Sequence, residues 1–390
     1  MKEVVLPQNV RHSVDRRSFL KSGLVAGGAA AVGAGLLANG TLARAQARTQ
    51  ARTQERGSLN AGDVAILRFL AAAELIESDL WTQYAELGGI GNNPPIEVDP
   101  NQTLNLYQVA LSNLDGDGPQ YITSNTLDEV SHATFLNAYL ESRGAEPVNF
   151  TEFETLPGST ATGSSGKLRL TNLMNLDVDT SWYVRYRSAT NPDLGATFPQ
   201  AITLQGVTAI PRADADFGTT DPNFNVPGNA HIQAIANVAG FHFGYIEQGG
   251  SSLYAALGQK VTDPEVLEIT YGIGGDEVAH FLEWVDFSGN GVQAPVAPFT
   301  DAISGLTFPN FFSPLNPSIQ PSLIFPVPTE FRPNLPHVSI IRPLTDRFGG
   351  AVATIKSFIA DGLFLGQSKQ FLERLLTMAV EADSAVRLSR

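Results

Sequence analysis

Four stretches of this chain place apolar residues at helical spacing, and in each the apolar stripe is interrupted by acids or histidine. The first runs from Ala61 to Leu87, with Asn60 able to cap it, Asp63 as an acid in the first turn and Gly88-Gly89 to end it. Its stripe reads Leu67, Leu70, Glu74, Glu77, Trp81, Tyr84. The second spans Thr126 to Ser142 and stops at Gly144; Glu129 and His132, one turn apart, share a face with Leu136 and Tyr139. The third covers Ala230 to Leu257. The fourth follows Asp263-Pro264, a cap with proline in the first turn, and continues to Phe287 with the stripe Val266, Thr270, Ile273, Glu277, His280, Trp284. A carboxylate on a buried face is costly unless it is paired or bound to a metal.

The interruptions repeat. "DEVSHATFL" from Asp128 and "DEVAHFLEW" from Asp276 share the pattern D-E-V-small-H. Laying "IESDLWTQYAELG" from Ile76 over "IEQGGSSLYAALG" from Ile246 matches Glu77 with Glu247 and Tyr84 with Tyr254, and leaves Glu74 opposite Gly244. A helix pair carrying Glu and then Glu-x-x-His is therefore present twice. That is the ligand set of a carboxylate-bridged dinuclear metal site in a four-helix bundle. Four converging glutamates would repel, and several would protonate rather than ionise. Two divalent cations bring the balancing charge, with one neutral imidazole for each. Oxygen-rich sites with one imidazole per metal suit iron or manganese better than structural zinc, which prefers Cys and His in tetrahedral closure.

The two motif pairs resemble the ferritin-like superfamily, specifically the ferritin-like domain proteins that include desiccation-related proteins, over residues 60–145 and 230–288. The resemblance implies a mainly α fold: a ferritin-like four-helix bundle with one long crossover between its second and third helices. This chain departs from the plain family pattern by a partly β insertion in that crossover, and it adds a C-terminal helical region. It implies Glu77, Glu129, His132, Glu247, Glu277 and His280 as ligands of two Fe or two Mn ions, with no catalytic residue beyond them. The implied chemistry is redox with dioxygen or peroxide in stress protection, by a di-metal oxidoreductase of ferroxidase or manganese-catalase type. The alternative is a non-catalytic, desiccation-related or structural protein with a structural or vestigial metal site. Glu74 reads as an acid behind the ligands or partly solvated, in preference to a seventh ligand. Tyr84 and Tyr254 read as core aromatics, His231 and His242 as structural or exposed, and "DGDG" (115–118) as a turn, since the rest of a calcium loop is missing.

Outside the four helices the pattern changes. "KLRLTNLMNLDVDTSWYVRYRS" alternates and predicts two or three strands within an insertion at 150–229. Residues 289–345 are rich in proline and read as an extended wrap. Residues 346–390 predict two helices, the second amphipathic and suited to dock on the bundle or on a partner subunit.

The N-terminus is set apart by composition. Arg16, Arg17, Phe19, Leu20 and Lys21 precede a Gly/Ala-rich run that ends in small-x-small sites, with cleavage after Ala45 or Ala47. This resembles a twin-arginine export signal over 1–47, followed by a polar linker at 48–59 and the bundle with its insertion at 60–288. The run is too short and Gly-rich for a stable span, so no membrane insertion is expected after cleavage. The destination is periplasmic or secreted, which fits a chain of 390 residues without cysteine. A net charge of −14 argues against nucleic acid or anionic lipid as partner, leaving metal ions and dioxygen or peroxide, with oligomerisation open.

Overall fold

The computed structural model describes residues 58–89, 106–111, 114, 118–180, 202–217, 230–287, 299–308, 331–332, 334–336, 341, 344 and 349–388. Residues from Ser58 to Arg390 form one compact unit. The signal and most of the linker, the 289–298 and 309–330 parts of the Pro-rich segment, and Asp115 to Asp117 lie outside the described residues.

Among the described residues the chain is mainly helical with two small antiparallel sheets. Helices α1 (Ala61–Gly88) and α2 (Gly118–Ser142) pack as one pair, α3 (Ala230–Gly258) and α4 (Pro264–Phe287) as another, and α2 also meets α4. The helix starts are set locally. Asn60 Oδ1 accepts from the Asp63 amide at 3.0 Å, and Asp263 Oδ1 accepts from the Glu265 amide at 2.8 Å. Asp63 does more than supply an acid to the first turn. It is buried and takes the amides of Thr262 and Asp263 at 2.8 and 2.9 Å, which fastens the start of α1 to that of α4.

Helix α2 begins at Gly118, eight residues before the expected Thr126. The added stretch is rich in hydroxyls, which favour turns when they compete with the backbone. Here Thr123 and Thr126 donate to the carbonyls of Pro119 and Ile122 at 2.7 and 2.6 Å, so the helix absorbs them. At its far end Gly144 takes φ +73, a left-handed stop.

Among the described residues the insertion holds four short strands. β1 (Leu156–Pro157) pairs with β2 (Leu168–Arg169), and β3 (Leu176–Asp179) pairs with β4 (Thr203–Val207). Two of them, β2 and β3, fall in the alternating stretch expected to form two or three, whose end beyond Thr180 lies outside the described residues. The alternation in "LDVD" does mark a strand, with Leu176 and Val178 buried. The second sheet rests on α3, while the segment around β2 is clamped to α1. Asp79 Oδ2 accepts from the Thr171 amide and hydroxyl at 2.8 and 2.6 Å, and Gln83 donates to the Thr171 hydroxyl at 2.9 Å. Glu86 meets Arg169 at 2.5 Å with both side chains buried. Spacings of four and three residues put Asp79, Gln83 and Glu86 on one stripe of α1.

Two C-terminal helices complete the unit, α5 (Ala351–Ala360) and α6 (Lys369–Asp383). The amphipathic α6 docks on α1 and α5 within the chain. Asp383, at its end, accepts from the Ala351 and Val352 amides at 2.9 Å each and so caps α5 from another helix. Gly362, at φ +86, lets the chain pass so close to the insertion that a Cβ would lie 2.7 Å from the Asn175 carbonyl oxygen.

The Glu86–Arg169 pair yields a test. Removing one member of a buried pair leaves the other charge unmatched, so Arg169→Ala lowers stability by about 3–5 kcal/mol. Chemical denaturation of the variant beside the parent measures this, and a loss below about 1 kcal/mol would show that the insertion is not held by that pair.

Candidate metal centre

Glu74 and Glu77 on α1, Glu129 and His132 on α2, Glu247 on α3, and Glu277 and His280 on α4 are all buried, and the four glutamates 74, 129, 247 and 277 are fully so. The two D-E-V-x-H copies face one another. Each histidine turns Nδ1 inward and Nε2 toward the aspartate of the opposite copy. His132 Nδ1 lies 3.3 Å from both Glu74 Oε2 and Glu129 Oε2, and its Nε2 lies 3.2 Å from Asp276. His280 Nδ1 lies 2.8 Å from Glu129 Oε1 and 3.4 Å from Glu247 Oε2, and its Nε2 lies 3.4 Å from Asp128. The reciprocal contacts fix both ring orientations, the role that an outer carboxylate plays for a metal-ligating histidine.

Among the described residues three groups of side chains could each hold a metal ion: one of Asp128, Asp276 and His280 toward the surface, and two built on the buried glutamates. Glu74, Glu129, His132 and Glu277 offer one ligand atom apiece within 4.8 Å of one another, and so do Glu129, Glu247 and His280. Glu129 belongs to both glutamate groups. Five of the six residues named from the sequence thus fall into these groups. Glu77 stays outside them, and Glu74, one turn earlier on the same face, stands beside His132 instead. Glu74 is fully buried, which corrects the expectation of a partly solvated acid. Burial raises the Glu77 carboxyl, and it is still near enough for the charges of Glu129, Glu74 and Glu247 to raise it further.

Many of these oxygens have no donor. Among the described residues, both carboxylate oxygens of Glu247 and of Glu277, Oε2 of Glu74 and Oε1 of Glu129 lack a hydrogen-bond partner. The close approach of His280 Nδ1 to Glu129 Oε1 is an ion-pair contact whose angles fall short of a hydrogen bond. Buried polar atoms are nearly always bonded, so a cluster of bare acceptors is what a cation would complete.

The electrostatics agree. Burial, with repulsion from Glu129, raises Glu74 to about 8, and burial raises Glu247 to about 7. Burial and neighbouring acids push Glu77 and Glu277 well above the carboxylate range. Glu129 goes the other way: burial opposes its ionisation, but the imidazoles of His132 and His280 outweigh that and hold it low. His132 rises to about 12 because Asp276, Glu129 and Glu74 overcome its burial, and His280 rises for similar reasons through Glu247, Asp128 and Glu129. Left to themselves, these side chains hold protons that a divalent cation would displace.

Neighbouring residues make room for the acids and frame them. A Cβ on Gly250 would come within 2.0 Å of Glu277 Oε2, so α3 needs a glycine there for the carboxyl to fit. The Tyr254 hydroxyl donates to Glu74. Tyr84, its counterpart in the overlay, meets His242 Nδ1 at 2.9 Å instead, and burial pulls His242 down to about 3. Trp81, Phe243 and Trp284 stack beneath, with Trp81 edge-on to His280 at 6.2 Å. Asp128 and Asp276 were legible as the repeated first letter of each motif, although only the Glu and His of each were singled out. His231 is structural, held between Asp301 at 2.9 Å and Asp216 at 3.5 Å.

A family model described as the TAT (twin-arginine translocation) pathway signal sequence matches residues 13–33. The chain thus carries a signal for export across the membrane, to the periplasm or beyond. No curated protein and no solved structure matches it. The ferritin-like resemblance accordingly stands on the residues alone. Among the described residues, no helix is long and apolar enough to cross a membrane.

The raised groups set a pH dependence for protein stripped of metal. Glu74, at about 8, keeps a proton that the unfolded chain releases above 4.5, and His132 keeps one that it releases above 6.5. Folding then takes up protons between pH of about 6 and 8, so stability falls as pH rises through that window. Glu129 is ionised in both states there, and the opposing contribution of His242 ends near 6.5. Thermal melts after chelation should show a lower Tm at pH 8 than at pH 6, with a shallower slope in Glu74→Gln. Equal slopes for the two proteins would remove Glu74 from the cluster's proton balance.

Proposed function

We propose that this exported protein holds two divalent cations, Fe or Mn, in a carboxylate-bridged site among α1 to α4, packed as a four-helix bundle of the ferritin-like kind, and carries out redox chemistry there with dioxygen or peroxide. The observation that carries this reading is the set of donorless oxygens on Glu74, Glu129, Glu247 and Glu277, aimed at one another around two inward-facing imidazole nitrogens. Glu129, common to the two glutamate groups, would be shared by the two ions, and His132 and His280 would each offer a nitrogen to one of them. From α1 the ligand would be Glu74, which stands beside His132, whereas Glu77 is left outside the groups.

When bound, the ions would supply Lewis acidity and a change of oxidation state. The chain's own residues do the rest. Asp128 and Asp276 hold the imidazoles with Nδ1 inward. Tyr254 fixes one oxygen of Glu74 and leaves the other free. The side chains of Asp128 and Asp276 are 44% and 43% exposed, so acidic groups reach from solvent to the histidines and give cations a polar way in.

Elemental analysis of the exported, folded protein tests this. We expect about two Fe or Mn per chain, lost in the Glu277→Ala, His280→Ala double variant. Glu74→Gln should lower metal content more than Glu77→Gln does, and Asp128→Asn or Asp276→Asn should weaken affinity about 10- to 100-fold. Protein purified without chelators yet free of metal would sink the proposal. Metal retained without any turnover of peroxide or dioxygen would leave the structural reading of the same site.

A further inference from the structure

Tyr254 has a second neighbour besides Glu74. It lines a cavity of about 550 Å³ between α3 and α4, a volume within the range of small-molecule sites. Leu267, Val278 and Ile341 supply apolar wall, and none of the cluster acids lines it. Two glycines in the middle of α4 shape it, although glycine is a poor residue for a helix interior. Their reasons differ. A Cβ on Gly274 would lie 2.7 Å from Tyr254 Cβ, so Gly274 gives the tyrosine its place. A Cβ on Gly275 would meet nothing within 4 Å, so no packing requires glycine there; its effect is to keep the cavity clear.

The remaining feature is charge. Arg387 is the single charged residue in the lining, is exposed, and has no ion-pair partner among the described residues. In a chain of net charge −14, with carboxylates plentiful, an unmatched guanidinium beside an apolar cavity is a feature that selects an anion. We propose that this cavity binds a small amphiphile, an apolar molecule ending in one carboxylate, with its body along Leu267, Val278 and Ile341 and its carboxylate on Arg387. The inference is independent of any metal at the glutamate cluster.

Isothermal titration calorimetry of the full chain with decanoate, and with decanol as the uncharged control, tests it. Decanoate should bind one per chain. Gly275→Leu fills the open space and should weaken both ligands at least about tenfold, with a circular-dichroism melt no lower than the parent's. Arg387→Gln, at an exposed position, should weaken decanoate about tenfold and leave decanol unchanged. Absence of binding, or binding indifferent to Gly275→Leu in a folded variant, would overturn the site. Decanoate affinity unchanged by Arg387→Gln would overturn its assignment to a carboxylate.

Discussion

Four glutamates from four helices converge where water does not reach, and a carboxylate taken out of water must find positive charge or hydrogen. The surroundings of Glu74, Glu129, Glu247 and Glu277 answer that demand only in part. His132 and His280 serve Glu129 well enough to hold it ionised, while burial pushes Glu74, Glu247 and Glu277 toward the protonated state. Packing has been arranged to permit this rather than relieve it. Gly250 vacates the volume that the Glu277 carboxyl occupies, and the aromatic layer of Trp81, Phe243 and Trp284 excludes solvent from below. A fold that only needed stability would gain by replacing such acids with apolar residues of similar volume. Their retention on all four helices is the physical case for a ligand.

The two halves answer one another, but not equally. The exchange between His132 and Asp276 on one side and His280 and Asp128 on the other is reciprocal, which explains why the repeated phrase includes its leading aspartate. Symmetry fails at Glu74, whose counterpart in the overlay is Gly244. A Cβ there would find Phe281 at 3.8 Å, so an apolar ring occupies the neighbourhood that an acid holds in the other half. The tyrosines follow suit, Tyr254 binding Glu74 and Tyr84 binding His242. Of the two candidate groups built on the glutamates, one therefore has four members and the other three, and two ions held there would sit in different fields.

What the sequence made legible was local or repeated. Caps at Asn60 and Asp263 act through neighbours two or three residues away, and the paired Glu-x-x-His motifs announce themselves by recurrence. The choice between Glu74 and Glu77 could not be read, because the two lie one turn apart on the same face and the overlay favours whichever has a counterpart. What separates them in the structure is distance from His132, which depends on how α1 packs against α2 and which Glu74 approaches to 3.3 Å. The early start of α2 was hidden because Thr123 and Thr126 bond their own helix, a use of hydroxyls that composition does not distinguish from a turn. The partner of β3 lies beyond the 181–201 stretch, and pairing across such a gap leaves no short-range trace.

Helix α1 shows how the parts depend on one another. One face carries Glu74 and Glu77 inward; a second, through Asp79, Gln83 and Glu86, grips the insertion; its first turn is fastened to α4 through Asp63; and α6 lies against it as well. Apart from the packing of α6, these attachments are hydrogen bonds, buried or partly buried, and one buried ion pair, whereas the cluster holds bare oxygens. A ligand set holds a metal tightly only when its side chains cannot relax away from one another, which requires supports on rigid elements. The insertion and the C-terminal helices, chemically silent in themselves, are placed to give that rigidity. Whenever the central acids ionise, their repulsion would part the helices, and the outer clamps on α1 oppose it, so segments outside the cluster help set how closely its acids converge.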